Sequence, residues 1–198
     1  SSNTVLDIIQ DKYGVMWFAT IDGLNRLDGS QFTIFRNNTD DVSTVSSNTI
    51  TCLAEDIYGN LWIGTTNGLN RYIRNTGKFI RYLNNDSRNC IKGNNIRALL
   101  ADKEGRLWVE IKGGFCDVID IKQAKFIHLS HSSGNFEGDY FYHQIFEDSK
   151  DNIWICGRNL HPLMIEGSHP FKTIQNISSS IDKYLETTCF VETKDHRL

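Results

Sequence analysis

Two prolines in 198 residues is a sparse supply, and several other things are missing from this chain. The five cysteines (Cys52, Cys90, Cys116, Cys156 and Cys189) are odd in number and show no CxxC spacing, so neither a disulfide framework nor a zinc ribbon is written in them. No run of about 18 apolar residues exists to span a membrane as a helix. Charge of one sign is not in excess: a net charge of −3 leaves no basic field to attract nucleic acid. Ser1-Ser2-Asn3-Thr4 has none of the charged and apolar regions of a signal peptide, as a mature segment would not. Phosphate loops, dinucleotide fingerprints and Ser or Cys nucleophile motifs are absent, and no 3.6-residue apolar period runs for the length of a helix.

What the chain has is aromatics at 11%, fifteen glycines and four tryptophans. The tryptophans fall at 17, 62, 108 and 154, spaced 45, 46 and 46 residues apart. Each closes the same pattern. Asp11, Gly14 and Trp17 lead to Gly23-Leu24; Asp56, Gly59 and Trp62 lead to Gly68-Leu69. Asp102, Gly105 and Trp108 lead to Gly114-Phe115, and Asp148, Asp151 and Trp154 form a weaker fourth copy. A period near 45 residues, with four short strands in each, predicts all-β propeller blades rather than a helical solenoid.

The second repeat shows the expected layout. Ile50, Leu53 and Ala54 belong to the first strand, and Asp56 to Asn60 to a hairpin turn. In that turn the Asp ties backbone amides and the Gly takes a positive φ. Leu61-Trp62-Ile63-Gly64 follows as the second strand. Its Trp is a plate for packing between blades, and its Gly permits close approach. Leu69 to Tyr72 and Lys78 to Tyr82 complete the blade. The predicted blades cover 5–36, 50–82, 96–129 and 142–174, and a fifth begins at 188–198. Four antiparallel blades and the start of another read as part of a larger propeller, hence as a piece of a longer protein. Uncovered blade faces then predict self-association, as a homodimer. Cys52 recurs as Asp7, Ala98 and Gln144, and Cys156 as Ala19, Gly64 and Glu110. Interchange with small residues predicts buried thiols.

The string from Ile50 to Tyr72, with Glu55-Asp56, Leu61-Trp62-Ile63-Gly64-Thr65 and Gly68-Leu69-Asn70-Arg71-Tyr72, resembles the two-component regulator propeller repeat. Val5 to Leu27 is close to it as well, and repeats three and four are more eroded. The sialidase Asp-box differs by one residue between Asp and Gly, and the Trp-Asp dipeptide of other propellers is absent. The resemblance implies the N-terminal sensor region of a bacterial hybrid histidine kinase, in which many such repeats form two propellers ahead of a β-sandwich, a membrane helix and the kinase. It implies a periplasmic location and oligosaccharide sensing. It also implies no catalysis in this stretch and attachment to a membrane only through parts outside the chain. Two other readings are a propeller enzyme of lyase or glycosidase type and a protein–protein scaffold.

Residues repeated once per blade define the unit, so Asp11, Asp56, Asp102 and Asp148 are read as turn ties. A site is expected where repeats disagree. Repeat three puts Glu110 at a Gly/Ala position, followed by Lys112; a carboxylate there is costly to bury unpaired. Repeat four has Arg158 and His161 where Gly-Leu stood. The stretch 133–142 sets Phe136 and Tyr140 beside Glu137 and Asp139, and aromatic faces with carboxylates are a common means of holding sugars. These six residues (Glu110, Lys112, Phe136, Tyr140, Arg158 and His161) are the expected ligand contacts. His128, His131 and His143 lack the fixed placement of a metal set, and no cofactor is expected.

Overall fold

The computed structural model describes residues 2–85, 89–113, 115–130, 143–157, 163–165 and 173–174. The chain divides into two compact units, Ser1–Gly134 and Asn135–Leu198. The expected stretch 133–142 and the start of a fifth repeat lie outside the described residues.

Every repeat builds one four-stranded antiparallel sheet in plain order, the arrangement of a propeller blade. Blade 1 contains β1 (Val5–Gln10), β2 (Met16–Thr20), β3 (Gly23–Asp28) and β4 (Gln31–Phe35). Blade 2 contains β5 (Ile50–Glu55), β6 (Leu61–Thr65), β7 (Gly68–Ile73) and β8 (Lys78–Tyr82). Blade 3 contains β9 (Ile96–Ala101), β10 (Arg106–Ile111), β11 (Phe115–Asp120) and β12 (Lys125–Ser130). In the second unit β13 (His143–Glu147), β14 (Ile153–Gly157), β15 (Leu163–Ile165) and β16 (Thr173–Ile174) repeat the order. Among the described residues there is no helix, hence none long and apolar enough to cross a membrane.

Within the first unit the blades pack face to face. Trp17, Ala19 and Leu24 of blade 1 meet Leu53, Leu61, Ile63, Tyr72 and Phe79 of blade 2 in one core. Trp62 and Leu69 of blade 2 meet Leu107, Val109 and Ile119 of blade 3 in the next. Strand alternation explains this, because cross-strand partners Ile9, Trp17 and Arg26 share one face while Ile8 and Phe18 share the other. The tryptophan is therefore the inter-blade plate that its spacing predicts. Each fully buried Leu, Ile or Val stabilises such a seam by about 1.5–3 kcal/mol.

Among the described residues nothing covers the opposite face of blade 1. Ile8 is 50% exposed and Phe32 55%, whereas their register equivalents Leu53 and Phe79 are 5% and 6% exposed.

Gly64 is a close-approach position. A Cβ there would stand 2.4 Å from Cys52 Sγ and 2.8 Å from Ile96 Cγ2, so side chains rather than backbone press on it. Cys52, Cys90 and Cys116 are buried and form no disulfide; for Cys52 the interchange with small residues predicts that burial.

One predicted alignment is corrected. Thr65 pairs with Gly68 across a two-residue turn, but Ile111 pairs with Phe115 across three residues. Gly114-Phe115 is thus not the counterpart of Gly68-Leu69. Phe115 takes the register of Gly68, and Asp117 takes that of Asn70.

Candidate functional site

The spacing of six residues from Asp to Trp produces a tie that all four blades share. In blade 2, Asp56 Oδ1 accepts the amides of Tyr58 and Asn60, both at 2.9 Å, and Oδ2 accepts the indole N–H of Trp62 at 2.8 Å. Asp11 accepts from Tyr13, Val15 and Trp17 in the same way. So does Asp102 from Glu104, Arg106 and Trp108, and Asp148 from Lys150, Asn152 and Trp154. The carboxylate both folds the turn and satisfies the one polar atom of a buried indole. Burial alone would raise the pKa of Asp11 and Asp148. The bonds from Trp17 and Arg74 to Asp11, from Trp154 and Asn152 to Asp148, and from turn amides to both, outweigh it and hold them below 3.8. Gly14, Gly59 and Gly105 sit at φ of 82–83° in these turns. In the fourth blade Asp151 takes that place at φ 62°.

The seam between blades 1 and 2 carries a second layer of polar contacts. Arg74 donates from Nη1 to Asp11 Oδ2 at 2.7 Å, from Nη2 to Glu55 Oε1 at 3.1 Å, and from Nε to the Gly59 carbonyl at 3.1 Å. Glu55 also accepts the amide of Lys12 at 2.7 Å. The Arg74 guanidinium lies 4.7 Å from the centre of the Tyr13 ring. In β3 of blade 1, Arg26 lies over Trp17 at 5.9 Å and pairs with Asp28. Tyr13, Arg26, Asp28 and Arg74 border an open cavity of about 530 Å3, with Tyr72, Val15 and Asn75 completing its lining.

At the strand β1–β5 edge, Asp7 Oδ2 accepts the amide of Leu53 at 2.8 Å and so joins the first strands of blades 1 and 2. Burial is the main influence on the Asp7 carboxyl and pushes its pKa up, against the bonds from Leu53 and Ile8. Cys52, one position before Leu53, has its thiol pushed up to about 12, first by burial and then by the charges of Asp7 and Glu110, with the Thr51 hydroxyl opposing. Cys116 is pushed up by burial, by Glu110 and by Asp117. Neither thiol is a thiolate nucleophile at neutral pH.

Of the expected contact residues, Glu110 lies in β10, 4% exposed, in register with Ala98 and Cys116. Lys112 is exposed in the turn that follows, its amide donating to the Asn95 carbonyl at 2.8 Å. Phe136, Tyr140, Arg158 and His161 lie outside the described residues. His128 is engaged by Asp117, Nδ1 to Oδ1 at 2.7 Å, while Asp117 Oδ2 accepts the Lys92 amide at 2.7 Å. This takes over the role of Asn70, whose Oδ1 accepts the Ser46 amide at 3.0 Å in blade 2. No three His, Cys, Asp or Glu side chains cluster as a metal site among the described residues.

The cavity residues were not foreseen. Arg74 and Asn75 follow the end of a repeat's third strand, where the pattern is not fixed, and Asp11 is 63 residues from Arg74. The available signal is that blade 3 puts Ile121 and Lys122 in those two places.

The sequence profile of the two-component regulator propeller matches residues 1–22, 44–67 and 90–109. A 46-residue stretch is 50% identical to histidine kinase P4 of Formosa agariphila, covering 23% of this chain and 3% of that protein. The extracellular domain of a hybrid two-component system from B. thetaiotaomicron superposes with a TM-score of 0.64 at 24% identity, over 82% of this chain and 24% of that one. A virginiamycin B lyase from Staphylococcus aureus also superposes with a TM-score of 0.64, at 13% identity, over 89% of this chain and 57% of that one. At such identities the two structures show a shared fold. The chain spans only a small part of the kinase and about a quarter of the extracellular domain it resembles.

Proposed function

We propose that this chain, whose residues 1–22, 44–67 and 90–109 match the two-component regulator propeller, is an extracytoplasmic, periplasmic sensing segment of a hybrid two-component histidine kinase that responds to an oligosaccharide. The observation that carries the reading is the 50% identity over 46 residues to a histidine kinase, since a match that dense extends beyond the turn and tryptophan positions that any such blade needs. The extracellular domain that shares the fold supports the location.

Signalling in this reading is a shift of population. A saccharide that binds one arrangement of the sensor better than another biases the kinase by that difference in affinity and by no more. The catalytic and membrane-spanning parts belong to the remainder of the protein. Ligand contacts at Glu110, Lys112, Phe136, Tyr140, Arg158 and His161 belong to the same proposal.

Two measurements test it. Sequencing the rest of the reading frame should show a membrane helix and a kinase after the propellers; their absence removes the reading. Calorimetry with oligosaccharides should show binding without turnover. Product formation from a bound sugar would assign the propeller to an enzyme of lyase or glycosidase type, and binding of a protein but of no glycan would assign it to a scaffold.

A further inference from the structure

The geometry points to the seam between blades 1 and 2 as a subsite for a neutral oligosaccharide, an inference that rests on the saccharide-sensing reading above. The cavity of about 530 Å3 is within the range of small-molecule sites. Tyr13 at its edge is 64% exposed, and its ring offers the surface that Arg74 and Lys12, 4.7 Å and 5.3 Å from its centre, leave uncovered. The slightly positive C–H bonds on one face of a pyranose settle against the negative face of such a ring.

The polar groups around it have bonding capacity left over. The Tyr13 hydroxyl and the Asn75 amide make no hydrogen bond within the described residues, although both border the cavity. A guanidinium has five N–H donors, and Arg74 uses three, one on each nitrogen. Asp28 accepts Arg26 through Oδ2, which leaves Oδ1. Spare donors and spare acceptors therefore line the same cavity as the Tyr13 ring. Vicinal hydroxyls, each a donor and an acceptor, match that mixture; a phosphate or carboxylate would use the donors alone.

Charge supports the neutral ligand. Arg26 is compensated by Asp28 and Arg74 by Asp11 and Glu55; with Lys12, whose Nζ donates to the Tyr58 carbonyl, three cations meet three carboxylates at the seam, so no net positive charge pulls in an anion. The same ion pairs hold the donors in place before any ligand arrives, which lowers the ordering cost of binding.

The seam is also where neighbouring blades differ. At the junction of blades 2 and 3 the register place of Asp28 is Ile73, and that of Arg74 is Ile121. That junction has the tyrosine, as Tyr58, without the ion pairs. A feature needed only for packing blades would be present at both.

Isothermal titration of the whole chain with neutral oligosaccharides of four to six sugars (the cello-, xylo-, manno- and laminari- series) tests this, with oligogalacturonate and sulfated carrageenan fragments as charged contrasts. We expect one neutral series to bind. Tyr13→Ala and Asn75→Ala should each weaken it about ten-fold or more with melting temperature unchanged, while Tyr58→Ala should not. Equal binding by the wild type and both variants overturns the subsite and leaves the sensing reading standing. Binding of charged fragments alone overturns the neutral assignment, and no binding by any saccharide overturns both.

Discussion

Replacing Asp56 with alanine should be among the more damaging single changes in the first unit, for a reason that can be separated into parts. Asp56 accepts two turn amides and the indole N–H of Trp62, a side chain only 2% exposed. A buried donor left without an acceptor costs about 1–3 kcal/mol. The turn amides of Tyr58 and Asn60 are closer to solvent, and losing their bonds costs about 0.5–1.5 kcal/mol each. The sum is about 2–6 kcal/mol, a large share of the roughly 5–15 kcal/mol typical of a folded domain. The indole portion is isolated by a double-mutant cycle. Trp62→Phe keeps a large ring and removes the donor, so Asp56→Ala should be less harmful in that background by about 1–3 kcal/mol. Urea unfolding followed by far-UV circular dichroism measures all four chains without relying on the tryptophan being replaced. If the two changes add to within about 0.5 kcal/mol, the indole bond contributes nothing and the tie is a turn device only.

Three further outcomes follow from named residues. Asp11 and Asp148 are held below 3.8 in the folded chain, so the stability they contribute is complete above pH 3.8 and is lost as pH falls through their lower folded values. Asp7 has the opposite sign: its raised folded value means that its contribution is complete below 3.8 and is lost as pH rises through that value. Urea midpoints between pH 3 and 7 should show Asp11→Asn least distinguishable from the wild type at the acid end. The same series should show Asp7→Asn gaining on the wild type as pH rises. Ala124 at φ 51° and Asp151 at φ 62° occupy turns where other blades have Gly29 or Gly77, and Gly14, Gly59 or Gly105. Ala124→Gly and Asp151→Gly should each raise stability by about 0.5–1 kcal/mol, and a lower thermal midpoint would contradict the strain. We also propose that the exposed face of blade 1 drives self-association of the isolated chain, as a homodimer. The double change Ile8→Lys with Phe32→Lys should shift light scattering towards monomer, and a wild-type monomer at high concentration would rule the association out.

The four Asp-to-Trp copies made the blades legible in the sequence, because a unit stacked on copies of itself must repeat the turn, the plate and the small residue that face its neighbour. Strand order, the inter-blade place of Trp17 and Trp62, and the burial of Cys52 all follow from that local pattern. Other features were decided only in three dimensions. The extra residue between Ile111 and Phe115 moved Asp117, not Cys116, into the place of Asn70, since register is set by which backbone groups pair and not by which glycine comes next. Nor does spacing show that the indole N–H would find the turn carboxylate, because that depends on how the hairpin folds back across six residues. Arg74 reaches Asp11 across 63 residues of chain. A contact that distant is fixed by the packing of two sheets, and no local rule of propensity or period contains it. The sequence therefore determined the blade, and only the packing of one blade on the next decided where a cavity opens and which polar groups keep unspent hydrogen bonds.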